Sequence, residues 1–310
     1  MIGALEDPRK VFGQTVSALA DVNDRVVILS ADSGNSSGFG DFMKEHPERY
    51  FEFGIMEQAV IGIASGFATT GKIPVFCAIA PFVTARPFEM FRNDLGYMHQ
   101  NAKIVGRNGG ITYSDLGSTH HSLDDFGLIR MIPGVVILSP QDPGEIRSAC
   151  KAMLEYVGPV YMRIGNEKIP SLFEESKFTI GKGRMIRSGT DVTIISTGNM
   201  TKSVMDAAEE LEKAGIHAEV IGMPTICPLD EDIILKSAEK TGRVVTVEEH
   251  YIYGGMGTMV SDLLCGIRPV QVKKLGIPND YATSGPYDKV LAHYGLDSDS
   301  ISKSVREFLN

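Results

Sequence analysis

A few segments carry residue types at spacings that can do chemistry. In Phe51-Glu52-Phe53-Gly54-Ile55-Met56-Glu57-Gln58, an acid follows a short apolar run and a glycine turn. It opens a helix-like stretch dotted with Ala59, Gly62, Ala64, Gly66 and Ala68, small residues that let another helix or backbone approach closely. A carboxylate beside that much apolar surface is expected to resist ionisation and hold a proton toward neutrality, which suits acid–base work. An acid at a helix N-terminus is also accounted for by the helix dipole alone. Thr119-His120-His121 lies in a Gly- and Ser-rich loop, residues 108–125. Paired histidines there can relay protons or bind an oxyanion, or simply be a solvated pair. No third ligand stands at metal-site spacing.

Two further segments are glycine-rich. Ala31-Asp32-Ser33-Gly34-Asn35-Ser36-Ser37-Gly38 follows the first apolar run and lets backbone amides approach a ligand, or forms a flexible turn. It is not a Walker loop, because no Gly-Lys-Ser/Thr follows. Gly254-Gly255-Met256-Gly257, after Glu248-Glu249-His250, fits the dinucleotide fingerprint poorly and reads as a tight turn before a helix.

The elements that must position these groups alternate. Apolar runs at 25–30, 50–53, 73–79, 103–106, 135–138 and 160–164 read as strands. Helical patterns at 56–70, 87–99 and 143–156 separate most of them. The polar stretch 165–183 reads as a linker. A second alternation follows, with strands at 192–196, 218–221 and 244–248 and helices at 200–214, 257–264 and 300–309. The expected fold class is α/β: two doubly wound domains, 1–180 and 181–310, each a mostly parallel sheet flanked by helices. In open sheets of this kind, ligands bind outside the carboxyl ends of the strands, where Asp32 and Glu57 both fall.

The 310 residues suit two domains, and 43% apolar with 22% charged residues is ordinary for a globular protein. With 30 Lys plus Arg against 39 Asp plus Glu, the net charge is −9, which argues against general nucleic-acid or anionic-membrane binding. Cys77, Cys150, Cys227 and Cys265 show no Cys-x-x-Cys pair; Cys77 and Cys265 sit in apolar runs and read as reduced core thiols. The N-terminal segment has no apolar signal core, and no uncharged apolar run reaches the ~20 residues that span a bilayer. A cytoplasmic location is expected.

Taken in order, several anchors resemble the C-terminal half of transketolase and of its relative 1-deoxyxylulose-5-phosphate synthase. They are Ala31-Asp32-Ser33, Gly54-Ile55-Met56-Glu57-Gln58, Pro81-Phe82 with Arg86, Gly117-Ser118-Thr119-His120-His121, and Pro133-Gly134-Val135-Val136. Tyr161-Met162-Arg163 and Val247-Glu248-Glu249-His250 with Gly254-Gly255-Met256-Gly257 complete the set. The resemblance covers nearly the whole chain. It implies thiamine diphosphate as cofactor, with Glu57 hydrogen-bonding its pyrimidine ring, Phe82 stacking on that ring and Asp32 near the thiazolium. It further implies that His120 contacts the donor oxygen, that Arg163 grips a substrate phosphate, and that His121 and Arg86 belong to the substrate site. The C-terminal domain is expected to serve assembly.

Two positions depart from the family pattern. Leu116 stands where the family usually has an aspartate that senses a substrate hydroxyl, with Asp115 next to it, and Asn108 aligns near a histidine that contacts substrate. A modified donor sugar is one reading of these changes. The Gly-Asp-Gly…Asn motif that holds Mg2+ and the diphosphate is absent from this sequence. The resemblance therefore implies a separate N-terminal subunit carrying that motif and the Mg2+ ligands, an α2β2 heterotetramer, and transfer of a two-carbon ketol unit between sugar phosphates. Rival readings are the β subunit of a 2-oxo acid dehydrogenase decarboxylase, a synthase condensing pyruvate with a triose phosphate, and a non-catalytic scaffold on the same fold.

Overall fold

The computed structural model describes residues 3–310; Met1 and Ile2 of the expected first domain lie outside the described residues. The first sheet is built from β1 (Val26–Ser30), β2 (Tyr50–Glu52), β3 (Ile73–Ile79), β4 (Lys103–Arg107), β5 (Val136–Leu138) and β6 (Val160–Arg163). The second comprises β7 (Arg184–Arg187), β8 (Val192–Ser196), β9 (Ala218–Gly222), β11 (Arg243–Tyr251) and β12 (Gln271–Ile277). One strand between these last, β10 (Thr225–Cys227), leaves its own domain and becomes an edge of the first sheet, antiparallel to β5. The strand orders are β10-β5-β6-β4-β3-β1-β2 and β12-β11-β8-β9-β7. Within these two sheets all pairings are parallel except those of β10 with β5 and β7 with β9. Two mostly parallel sheets flanked by helices are what the alternating pattern implies.

The central strands are buried along their whole length, so they read as unbroken apolar runs rather than as alternations. The helices show the complementary pattern. In α1 (Pro8–Asp21), Val11, Phe12, Val16 and Ala20 recur on one face and are buried; Pro8 sits at its first position behind an Asp7 cap. α2 (Glu57–Thr69) and α3 (Pro143–Glu155) follow, then α4 (Met200–Lys213), α5 (Glu231–Thr241), α6 (Met256–Ile267) and α7 (Ser298–Leu309).

Several expectations need correction. The helix expected over 87–99 is a short α-turn, Phe88–Met90, running into a π-helix, Phe91–Tyr97. The stretch read as a linker is pinned down: Ile169–Pro170 pairs antiparallel with Leu5–Glu6, and Asp142 accepts hydrogen bonds from the amides of Leu172 (2.8 Å) and Phe173 (3.0 Å). Cys77 is buried as expected, but Cys265 is exposed on α6, because the apolar run around it is an amphipathic helix with another face inward. Nor does the core stop at the domain boundary. One apolar cluster joins Val27, Phe76 and Ile104 of the first sheet to Ile195, Ile221 and Val244 of the second.

Polar contacts reinforce this junction. Arg163, at the end of β6, pairs with Asp125 at 3.1 Å, and both side chains are almost fully buried. Asp125 also accepts from the Tyr161 hydroxyl at 2.7 Å. The second Arg163 terminal nitrogen donates to the Glu249 carbonyl at 2.7 Å, and the guanidinium lies 4.5 Å over the Phe126 ring. Burial opposes the charge on Arg163, but Asp125 and Glu249 outweigh it and raise its pKa. Glu248 accepts from the amides of Met256 (2.8 Å) and Gly257 (2.7 Å), capping α6. A Cβ on Gly255 would come within 2.4 Å of that carboxylate, so the glycine cluster serves a tight turn before a helix.

Two outcomes follow from these buried charges. Asp125→Ala leaves the buried Arg163 cation without its paired carboxylate and the Tyr161 hydroxyl without its acceptor, and the expected loss of stability in denaturant titration is about 3–5 kcal/mol. Lys103, at the opposite end of β4 from Arg107, is buried with its ammonium on the carbonyls of Tyr156 (2.7 Å) and Gly158 (2.8 Å). Burial pulls its pKa down to about 7, whereas an unfolded lysine titrates near 10.4. Between those values the unfolded state binds more protons, so this group's contribution to stability rises with pH. The melting temperature of the native chain should therefore rise relative to that of Lys103→Met on going from about pH 7 to about pH 9.5.

Candidate active site

The segments singled out in the sequence meet at the carboxyl edge of the first sheet. Glu57 is the first residue of α2 and is only 4% exposed. Phe82 lies on the turn Ala80–Val83 directly after β3. The His120 ring stands edge-on to Phe82, with centroids 5.3 Å apart, and edge-on to Tyr113 at 5.5 Å. Its Nδ1 shares a 2.9 Å hydrogen bond with the Thr119 hydroxyl. Arg86 joins the group: its Nη1 is 2.8 Å from Glu57 Oε2, and its guanidinium carbon lies 4.0 Å over the centre of the Phe82 ring. Glu57 is thus not isolated at the start of its helix: it stands in an ion pair with Arg86.

Asp32 is on the loop after β1, exposed, with a left-handed φ of +55° that is uncommon outside glycine. A residue that sequence reasoning overlooked holds it there. Glu52, the last residue of β2, accepts at Oε1 from the amides of Asp32 and Gly54, both at 2.8 Å. Its Oε2 accepts from the Tyr50 hydroxyl at 3.1 Å. Burial pushes the Glu52 carboxyl up, but hydrogen bonds from Ser30, the two amides and Tyr50 outweigh it and hold it below the usual range. One carboxylate therefore clips the Asp32 loop to the turn that leads into Glu57. Between the two loops lies a cavity of about 490 Å³ lined by Asp32, Ser36, Tyr50, Glu52, Gly54 and Ile55. At Gly34 a Cβ would stand 2.0 Å from the Tyr50 hydroxyl oxygen, so only glycine lets the loop close over the tyrosine.

The histidine loop is held from the second domain. The Ser118 hydroxyl donates to the Ala282 carbonyl at 2.8 Å, and the Gly285 amide donates to Ser114 O at 3.0 Å. His121 is 5% exposed, and neither ring nitrogen has a partner. Burial, with His120 beside it, lowers its pKa against a backbone contact at Ser114. Arg107, at the end of β4, is a second residue the sequence did not flag. It is 7% exposed, donates to Ser36 (2.8 Å) and Asn108 (3.2 Å), and leaves Nε unpartnered. No carboxylate pairs with it among the described residues. Asn108 itself has a left-handed φ of +58°.

Arg163 is not brought into this cluster. Its partners are Asp125, Glu249 and Phe126 of the domain junction, and a recess of about 10 Å³ beside it is lined by Gly109, Pro140, Gly165 and Asn199. Leu116 is exposed on the histidine loop. Among the described residues no group of three or more His, Cys, Asp or Glu side chains could hold a metal ion, and no helix is long and apolar enough to cross a membrane.

Comparison with known proteins gives the same picture at the level of whole domains. Residues 7–170 match the model of the transketolase pyrimidine binding domain, and residues 181–301 that of the transketolase C-terminal domain. The chain is 40% identical over 303 residues to one subunit of the apulose-4-phosphate transketolase of Phocaeicola vulgatus, covering 97% of each chain. It is 38% identical over 310 residues to a putative transketolase C-terminal section of Methanocaldococcus jannaschii, covering 98% of this chain and 97% of the other. A solved structure described as a split gene transketolase, inactive beta4 tetramer, superimposes with a TM-score of 0.91 at 36% identity, covering 98% of each chain. These matches run along nearly the full length of both domains, and the chain belongs to the transketolase family, of which it carries the pyrimidine-binding and C-terminal domains.

Proposed function

We propose that this chain is the C-terminal subunit of a split transketolase, and that it binds thiamine diphosphate with Mg2+ at a site shared with a separate N-terminal subunit in an α2β2 assembly. The reaction we assign is transfer of a two-carbon ketol unit between sugar phosphates. One observation carries the reading: a buried carboxylate, a flat aromatic and a histidine, Glu57, Phe82 and His120, converge at one edge of the first sheet. The family membership and the full-length match to a single transketolase subunit support it.

The residues present fit the cofactor. Its aminopyrimidine needs an aromatic face and a carboxylate beside it, and Phe82 and Glu57 stand together, bridged by one guanidinium. Arg107, at the end of β4, and His121, next to His120, carry unpartnered polar atoms, as expected where a polar ligand completes the hydrogen bonding. Thiamine diphosphate, when bound, supplies the chemistry that breaks and forms a carbon–carbon bond next to a carbonyl. Phe82 stacks the pyrimidine. Glu57 hydrogen-bonds a ring nitrogen and holds a proton there. Asp32 would stand on the thiazolium side of the bound cofactor.

His120, with Nδ1 engaged by Thr119, keeps Nε2 for proton exchange with the donor oxygen, and His121 lies next to it. Arg163 holds the substrate phosphate from the recess it lines, while its junction contacts to Asp125 and Glu249 keep it in place. The diphosphate and Mg2+ are held by the N-terminal subunit.

Three measurements test this. Calorimetric titration of thiamine diphosphate with Mg2+ should show binding in the chain assembled with its N-terminal subunit, weakened at least about tenfold by Glu57→Gln, the usual scale for a lost charged hydrogen bond. A stable complex without cofactor binding would leave the scaffold reading in front, and turnover of pyruvate rather than ketose phosphates would favour the 2-oxo acid readings. Glu52→Ala frees the Asp32 and Gly54 amides and should raise the cofactor Kd roughly three- to tenfold, whereas Glu52→Gln keeps an acceptor oxygen and should recover most of it.

A further inference from the structure

Arg86 touches both groups that the cofactor reading assigns to the pyrimidine, holding one oxygen of Glu57 and covering one face of Phe82. Its Nη1 is on Glu57 Oε2 at 2.8 Å and its guanidinium lies 4.0 Å over the Phe82 ring. Only a planar cation can stack and pair at once in this way. The backbone beneath it is pinned: its amide donates to the Pro81 carbonyl at 3.1 Å, and its carbonyl accepts from Gln58 Nε2 at 3.3 Å. Freedom therefore lies in the side chain, which is 38% exposed while that of Glu57 is 5% exposed.

That exposure separates Arg86 from the molecule's other arginine–carboxylate–aromatic group. Arg163, at 7%, has Asp125, Glu249 and Phe126 around it, and a buried pair of that kind is costly to break. Arg86 has one carboxylate and one ring, with solvent on its open side. Leaving them returns a half-exposed guanidinium to water at small cost, while the buried Glu57 carboxylate is left to the entering ring nitrogen.

We propose that Arg86 is a displaceable plug in the pyrimidine site. This rests on the cofactor reading above and adds to it a competition within the chain. A flat heteroaromatic ring that stacks on Phe82 and hydrogen-bonds Glu57 needs the surfaces the guanidinium holds, so the side chain swings toward solvent as the ring enters. Cofactor affinity is lowered by the work of that displacement. Glu57 gives up its contact with the cation on loading, which frees its oxygen for the ring nitrogen. Arg86 thus acts as a positioning residue that sets how easily Glu57 becomes available.

The test is titration of thiamine diphosphate with Mg2+ into the purified complex with the N-terminal subunit, read as heat of binding. Arg86→Met keeps an apolar stem and removes the cation and the planar stack. Its cofactor Kd should fall about five- to tenfold, the scale of one cation–π contact plus a half-exposed ion pair. Arg86→Lys keeps the charge and loses the flat face, and should give a smaller tightening. Both variants should assemble with the N-terminal subunit as the native chain does. An unchanged or raised Kd in Arg86→Met, with normal binding by the native complex, overturns the plug and leaves the cofactor reading standing. No binding by a stable native complex overturns the cofactor reading and the plug with it. If the Met variant fails to assemble, the Lys variant decides the question by the same comparison.

Discussion

The buried pair of Arg163 and Asp125 is the constraint on which the rest of the molecule depends. A cation and an anion sealed from water cost more than their attraction returns unless every remaining donor and acceptor is satisfied. Here Tyr161, the Glu249 carbonyl and the Phe126 face satisfy them. Because Glu249 belongs to β11 and Tyr161 to β6, satisfying the charge requires the two domains to meet in one orientation. That orientation brings Ala282 and Gly285 against the loop that carries His120. The second domain contributes no side chain to the Glu57–Phe82–His120 cluster, yet without it the histidine loop has no anchor on its outer side.

The site is made by strand ends. β1, β2, β3 and β4 run parallel, so their carboxyl ends deliver Asp32, Glu52, Phe82 and Arg107 to one edge. Loops at such an edge lack a ladder to hold them, and each is secured by a polar contact to its neighbour. Glu52 joins the first two loops, and Arg107 ties its own strand to Ser36 on the first. The left-handed φ values at Asp32 and Asn108 are the strain that such closure stores, and strain of this kind persists only where surrounding contacts over-determine it.

Much of this is legible in the sequence. Runs such as Val192–Ser196 are buried on both faces and therefore read as uninterrupted apolar stretches, and the strand there has the bounds expected of it. Glu57 and His120 stand out because their segments are unusual in composition, Phe82 only through the family resemblance, and the three come together. The misses have physical causes. β10 crosses to the other domain's sheet, and no local pattern encodes which sheet a three-residue strand will join. The π-helix at Phe91–Tyr97 has the same apolar spacing as an α-helix over so short a span. Glu52 escapes a sequence reading because its importance lies in two backbone amides, and backbone groups are invisible in a list of side chains. The phosphate role of Arg163 is implied by the family resemblance alone, while its nearest partners, Asp125 and Glu249, are set by tertiary packing.

The distribution of apolar surface argues that the cluster is one side of a larger site. Ile55 is 73% exposed, Met56 49% and Leu116 46%, and all three lie within a few residues of Glu57 or His120. Scattered exposed apolar side chains are ordinary on a globular chain. On the turns that carry Glu57 and His120 they put apolar surface beside polar groups, the combination found where another surface docks. A partner that covers these side chains would also exclude water from Glu57 and His120, which strengthens every electrostatic contact made there. The sheet edge alone leaves the Glu57–Phe82 site open to solvent on the side where Arg86 stands. An enclosed reaction site at this edge therefore requires a second wall, and the position of the exposed apolar residues says where that wall must rest.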